Sequence, residues 1–196
     1  MWRINEIFYS LQGEGRNTGL ACVFIRFSGC NLHCAFCDTA HQHGIPMSLP
    51  EIIAEVNRYP LAPMIVLTGG EPSLWIDDDF MKALKEKTGK RIAIETNGTH
   101  VLPQGIDWVT MSPKTGMGGG DGVPVALTCC DELKVVYLGQ DLRQYEGISA
   151  SYRYLQPCWV PDQAQCEKNM QDCVAAVLQN PEWRLSLQTH RVLQIK

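Results

Sequence analysis

The chain has 196 residues, one domain over 1–196 by a typical length of roughly 150 and enough to bury a real core. Seventeen Lys and Arg against twenty-one Asp and Glu leave a net charge of -4, which excludes the broad basic field that holds nucleic acid by its phosphates. Apolar residues at 45% and charged residues at 19% exclude a disordered chain. No run approaches the roughly 18 to 20 apolar residues of a membrane helix, and the first residues, MWRINEIFYSLQGEG, carry no export signal, so the expected location is cytoplasmic.

Val23, Ile25 and Phe27 alternate with Phe24 and Arg26, a β-branched and aromatic run that reads as a strand entering a cysteine-rich loop at Ser28. Ser48 then caps a helix with Pro50 in its first turn and Ile52, Ile53, Val56 and Tyr59 on one face. A strand at 64–67 follows. The acids Asp77, Asp78 and Asp79 favour a helix N-terminus, Phe80, Met81 and Leu84 supply its buried side, and Gly89 stops it. Strands are predicted at 91–95, 107–111, 133–138 and 152–155, with a last edge strand at 185–188. Before that edge, a long helix sets Cys166, Met170, Cys173, Val174, Val177 and Leu178 on one stripe. Residues 116–122, five of them Gly, read as a mobile loop and lack the Lys-Ser/Thr ending of a phosphate-binding loop.

Strands alternating with helices imply an α/β fold with a mostly parallel sheet, its ligands beyond the strands' C-terminal ends. About six strands and about three helices are too few for a closed eightfold barrel of roughly 250 residues. A truncated, open, partial TIM-like barrel is predicted.

Nine cysteines is a high and odd count, and in a reducing compartment it points to metal or redox chemistry. Cys30, Cys34 and Cys37 form the loop CNLHCAFC. Three thiolates this close cannot pair as disulfides without leaving one over, whereas a cubane iron-sulfur cluster held by three leaves one iron open to a small molecule. The rival is zinc on Cys34, Cys37, His41 and His43, in a non-catalytic binding module. Its arms are too tightly spaced for a usual finger and it leaves Cys30 unexplained, so His41 and His43 read as polar loop residues. Cys22, Cys166 and Cys173 read as small hydrophobes, and Cys129, Cys130 and Cys158 have no metal-site spacing.

The cysteine loop, with Phe36 before its third cysteine, resembles that of radical S-adenosylmethionine enzymes. LTGGEP at 67–72 is similar to that family's motif for the methionine amino group, where glycines let backbone approach a ligand. LQGEG at 11–15, CDT at 37–39, ETNGT at 95–99, SPK at 112–114, LQP at 155–157 and QTHR at 188–191 narrow the resemblance to the short branch that contracts a pterin ring in the deazapurine (queuosine) pathway. A glycyl-radical-enzyme activating enzyme is the alternative within the family, but a protein substrate needs neither LQGEG nor the threonine of CDT.

The resemblance implies a [4Fe-4S] cluster on Cys30, Cys34 and Cys37, and S-adenosylmethionine contacts at Phe36, Cys37, Asp38, Gly70, Ser112, Pro113, Lys114 and Gln156. For the substrate, 6-carboxy-5,6,7,8-tetrahydropterin, it implies Leu11, Gln12, Gly13, Arg26, Thr68 and the main chain of Lys196, although QTHR and this lysine depart from the family pattern. It implies magnesium on Thr39, a lyase that releases ammonia, a reductant protein such as a flavodoxin, and a homodimer. Arg26 suits a carboxylate because a guanidinium pairs with it bidentately, and Thr39 offers a hard oxygen. Glu71 and Glu95 either tune the ligand's ammonium or ribose end or stabilise a turn, and Gly15 and Gly98 read as turn residues.

Overall fold

The computed structural model describes residues 1–37, 39, 41–117 and 123–196. One nine-stranded sheet runs through them in the order β3-β1-β2-β4-β5-β6-β7-β8-β9. Its strands are β1 (Trp2–Leu11), β2 (Ala21–Phe27), β3 (Ile45–Met47), β4 (Met64–Gly69), β5 (Arg91–Thr96), β6 (Trp108–Met111), β7 (Cys129–Tyr137), β8 (Ser149–Pro157) and β9 (Arg184–Leu185). From β2 to β9 every pairing is parallel, while β1 pairs antiparallel with both β2 and β3. The sheet is open, as predicted, with β3 and β9 at its two edges. Among the described residues no helix is long and apolar enough to cross a membrane.

The helices form where caps and periodicity agree. In α1 (Leu49–Asn57) the Glu51 carboxylate accepts from the Ser48 backbone N–H at 2.7 Å and from its hydroxyl at 2.6 Å, a reciprocal cap that meets an otherwise orphaned donor. In α2 (Asp78–Thr88) Asp77 accepts from the Phe80 N–H at 2.8 Å, and Gly89 closes the helix at φ 65°, a conformation glycine adopts without a Cβ clash. Ile52, Val56, Phe80, Met81 and Leu84 bury against Val23, Ile25, Phe27, Ile65, Leu67, Ile92 and Ile94 of the sheet's outer face.

Three features differ from expectation. The sheet has nine strands rather than about six, chiefly because β1 escapes a simple period-two reading: its register shifts between Ile4 and Glu6. Ile4 and Ile7 therefore pack on the helix side, while Phe8 joins the inner cluster with Phe24, the bulge having turned the strand over. The last edge strand is Arg184–Leu185, not 185–188, and a short α4 (Thr189–Leu193) follows it. The stripe on α3 (Gln163–Gln179) is also corrected. Only Cys173 and Ala176 are buried, Val177 packs beside them, and Met170, Val174 and Leu178 face solvent, because the helix leans on β8 and β9 along the neighbouring line.

Candidate active site

Parallel strands send alternate residues to opposite faces, and the inner face here changes character along its length. Cys22, Phe24, Met64, Val66 and Ala93 form an apolar floor with Phe8. One step towards the C-terminal ends, Arg26 lies beside Thr68, Glu95 beside Thr110, and Thr110 beside Glu132. Above this floor a cavity of about 280 Å³ opens.

The cavity gathers the cysteine loop, the glycine-rich turn and the N-terminal LQGEG loop. It is lined by Cys30, Cys34, Phe36, Cys37, Gly70, Ser112, Lys114 and Gln156, and also by Leu11, Gln12, Gly13, Arg26, Thr39, Thr68 and Lys196. Pro113 lies elsewhere, in a separate depression with Thr115 and Tyr145. Asp38, and residues 118–122 of the glycine-rich stretch, lie outside the described residues.

The cysteine loop is held by close backbone contact. A Cβ on Gly70 would stand 1.9 Å from the Gly29 carbonyl oxygen, so the turn after β4 nests against the start of the loop only as glycine. Gly70 N–H donates to Phe27 O and Glu71 N–H to Gly29 O, both at 2.9 Å. Asn31 ties the loop to the end of β5, donating to Thr99 Oγ1 at 2.9 Å and accepting from Asn97 Nδ2 at 3.0 Å. Glu71 proves structural: it is buried and accepts from the Thr96 hydroxyl at 2.7 Å, the Asn97 N–H at 2.7 Å and the Ser73 N–H at 3.1 Å.

Burial pushes the Cys30 and Cys34 thiols up, with the Lys114 ammonium working against it at Cys34. Burial lowers Lys114, whose Nζ donates to Ser112 O and Oγ, each at 2.6 Å. Gln156 is buried, its Oε1 accepting from Ser186 Oγ at 2.9 Å. Among the described residues no three His, Cys, Asp or Glu side chains are grouped to hold a single metal ion. A cubane asks for something else, since each thiolate meets its own iron at a separate corner. Three thiols around one cavity, with the Leu32 N–H donating to Cys30 Sγ at 3.4 Å, fit that donor set.

Arg26 donates from Nε to Glu6 Oε1 at 3.0 Å and from Nη1 to Thr39 Oγ1 at 3.2 Å. The expected carboxylate receptor and the expected magnesium ligand are thus neighbours, although Glu6 already engages one edge of the guanidinium. Lys196 Nζ bonds the other Glu6 oxygen at 2.7 Å, and Ser10 Oγ donates to the Lys196 main-chain oxygen at 2.6 Å. The motif QTHR docks on LQGEG: Thr189 donates from both N and Oγ1 to Gly13 O at 2.9 Å, and Gln188 Nε2 donates to Glu14 Oε1 at 2.9 Å.

Comparison with known proteins bears directly on this arrangement. Residues 24–116 match the model of the Radical SAM superfamily. The chain is 55% identical over 196 residues to the 7-carboxy-7-deazaguanine synthase of Bacteroides thetaiotaomicron, covering 100% of both. The chain belongs to the 7-carboxy-7-deazaguanine synthase family. The synthase of Nitratidesulfovibrio vulgaris is 39% identical over 220 residues, with 99% of each chain covered. QueE from Escherichia coli superposes with a TM-score of 0.72 at 31% identity, covering 95% of this chain and 93% of that one. Membership in this radical synthase family brings a [4Fe-4S] cluster and S-adenosylmethionine to the site.

Sequence reasoning passed over several residues of the synthase cavity. Glu14, Asn97, Thr110, Lys134, Trp159 and His190 all line it. Glu14, Asn97 and His190 stand inside motifs already singled out. Lys134 had a signal of its own, being charged between Leu133 and Val135 in a strand.

Proposed function

We propose that this protein catalyses the radical ring contraction of 6-carboxy-5,6,7,8-tetrahydropterin to 7-carboxy-7-deazaguanine with loss of ammonia, a carbon-nitrogen lyase step in queuosine and 7-deazapurine biosynthesis. The observation that carries this reading is that Arg26, beside Thr39, shares one cavity with the three cysteines of CNLHCAFC. Cys30, Cys34 and Cys37 hold the cluster, and Phe36, Gly70, Ser112, Lys114 and Gln156 bound the space for S-adenosylmethionine. When bound, these groups supply a carbon-centred radical that abstracts a hydrogen atom and later returns it.

The chain's own work is placement and exclusion. Arg26 binds the pterin carboxylate through a guanidinium that Glu6 holds in one orientation, and Thr39 supplies an oxygen for magnesium. Leu11, Gln12, Gly13 and Thr68 flank the ring, with the Lys196 main-chain oxygen at the rim. The stacked rings of Phe8 and Phe24, 4.9 Å apart, keep water from the floor, where a stray hydrogen donor would end the radical unproductively. A flavodoxin-type reductant, a homodimeric assembly and a cytoplasmic location complete the reading.

Anaerobic incubation of reconstituted protein with reductant, S-adenosylmethionine, magnesium and the carboxypterin tests it, with mass spectrometric detection of product. Appearance of 7-carboxy-7-deazaguanine is expected. Formation of 5'-deoxyadenosine alone, from protein with an intact cluster, would overturn the pterin assignment.

A further inference from the structure

Four charged side chains meet beside the cavity, three of them on its wall. Lys134 of β7 is 5% exposed, and its ammonium stands 2.5 Å from Glu14 Oε2 and 3.7 Å from Glu95 Oε1. Glu132, two residues earlier and therefore on the same face, is 2% exposed. The carboxylates are further tied to fixed donors: Glu14 to Gln188, Glu95 to Gln12 Nε2 at 2.9 Å, and Glu132 to the Arg16 N–H at 2.8 Å. A Cβ on Gly15 would stand 1.9 Å from Glu132 Oε1, so the LQGEG loop closes directly over the cluster.

An ammonium taken out of water is costly unless its partners compensate, and the strand does not need one for packing. Leu133 and Val135 already supply the outer core, and Tyr154 on β8 lies beside Lys134 in register. Glu95 and Glu14 line the cavity with Lys134, whereas Glu132 lies behind it. The lysine thus stands between two carboxylates that face the substrate space.

We propose that Lys134 is a positioning residue for the ring contraction: its ammonium holds Glu14 and Glu95 oriented as the acceptor wall against which the pterin ring, rich in N–H donors, is seated. This rests on the pterin reading above. The ionisation pattern agrees with the geometry. Burial works against the Lys134 ammonium, but Glu14, Glu95 and Glu132 outweigh it and its pKa is raised. Burial would raise Glu14, yet Lys134 holds it well below the usual carboxylate range, whereas burial dominates at Glu132 and pushes it up. Two further groups face the cluster from other elements, Lys114 after β6 and His190 of α4.

Removing the ammonium leaves the carboxylates without the cation that pairs with them directly, so one of them takes up a proton and turns from acceptor to donor. For Lys134→Gln, KM for the carboxypterin is expected to rise roughly 100-fold, and the acid limb of kcat/KM to move up by about one pH unit or more. Lys134→Arg restores part of the loss. Adding Glu132→Gln to Lys134→Gln, which removes one of the crowded carboxylates, brings the acid limb back down. Equilibrium binding of fluorescent 6-carboxypterin to the cluster-loaded protein weakens in step with KM, while iron and sulfide content stay at the parent level. Parent enzyme that yields no deazaguanine sinks the pterin reading itself. Parent enzyme that turns over, beside a Lys134→Gln variant with the same KM and pH profile, overturns the role of Lys134 alone. Should Lys134→Gln lose its cluster, Lys134→Met decides, because it keeps the side chain's length without its charge and an unchanged KM and acid limb there are equally fatal.

Discussion

Along β4, Ile65 and Leu67 point to α1 and α2, while Met64, Val66 and Thr68 point to the sheet's inner face. β2 divides in the same way: Val23, Ile25 and Phe27 lie under the helices, and Phe24 and Arg26 line the cavity. The outer face of these two strands is apolar and is satisfied by volume and shape. The inner face is graded, apolar at the N-terminal ends of the strands and charged or hydroxylated at their C-terminal ends. One strand therefore answers to two requirements, and a substitution on one face should leave the other face's observable nearly untouched.

The largest effect expected is at the inner rim. Cys34→Ala should abolish product and lower the iron bound per chain while the thermal transition persists, which metal analysis beside calorimetry would check. Gly70→Ala meets backbone rather than a movable side chain, so the cysteine loop must shift. Turnover should fall roughly 100-fold, as for an ångström-scale misplacement at a reacting centre, and S-adenosylmethionine affinity measured by dialysis should fall with it. On the outer face, Ile65→Val should cost about 1 kcal/mol of stability by denaturant titration and leave KM for both ligands as it was.

The smallest effect belongs to Asp107, which joins α2 to β5 through Lys85 Nζ at 2.5 Å and the Ile92 N–H at 2.8 Å. Burial would raise this carboxyl, but those two donors outweigh it and hold it lowered. A depressed acid contributes stability that is fully present above its unfolded value, ordinarily 3.8, and is lost as pH falls through the lower folded one. Asp107→Asn should therefore cost less than about 1 kcal/mol at neutral pH, and its melting temperature should converge on the parent's in acid. A gap that widens in acid would show that the sign is wrong.

The outer face is also where the fold is most legible from sequence. Ser48, Asp77 and Gly89 act within a few residues of themselves, and the alternation in β2 and β5 needs no distant partner, so local rules suffice. β1 is obscured because its bulge exchanges the two faces after Ile4, which blurs the alternation. On α3 the apolar residues cover more of the helix than the sheet can receive, and periodicity alone does not say which line of them is taken. Motifs located most of the cavity, since Cys30, Gly70 and Ser112 each follow a strand end and Gln156 is the last residue but one of β8. Glu71 was open to two roles in sequence, and only the approach of Thr96 and Asn97 from another strand assigns it to structure. The partnership of Lys134 with Glu14 had no such local sign, being created by the crossing of β7 under a loop 120 positions away.

The docking of Thr189 on the Gly13 carbonyl spans 176 positions, so its contact order is very high and its closure is entropically late. In a chain made from its N-terminus, CNLHCAFC and the strands that carry it are complete while residues 188–196 are still to be added. The segment that fastens Gly13 and Glu14 in place is thus made after the strands that carry the cysteine loop, so the LQGEG side of the cavity is fixed later than the cysteine side.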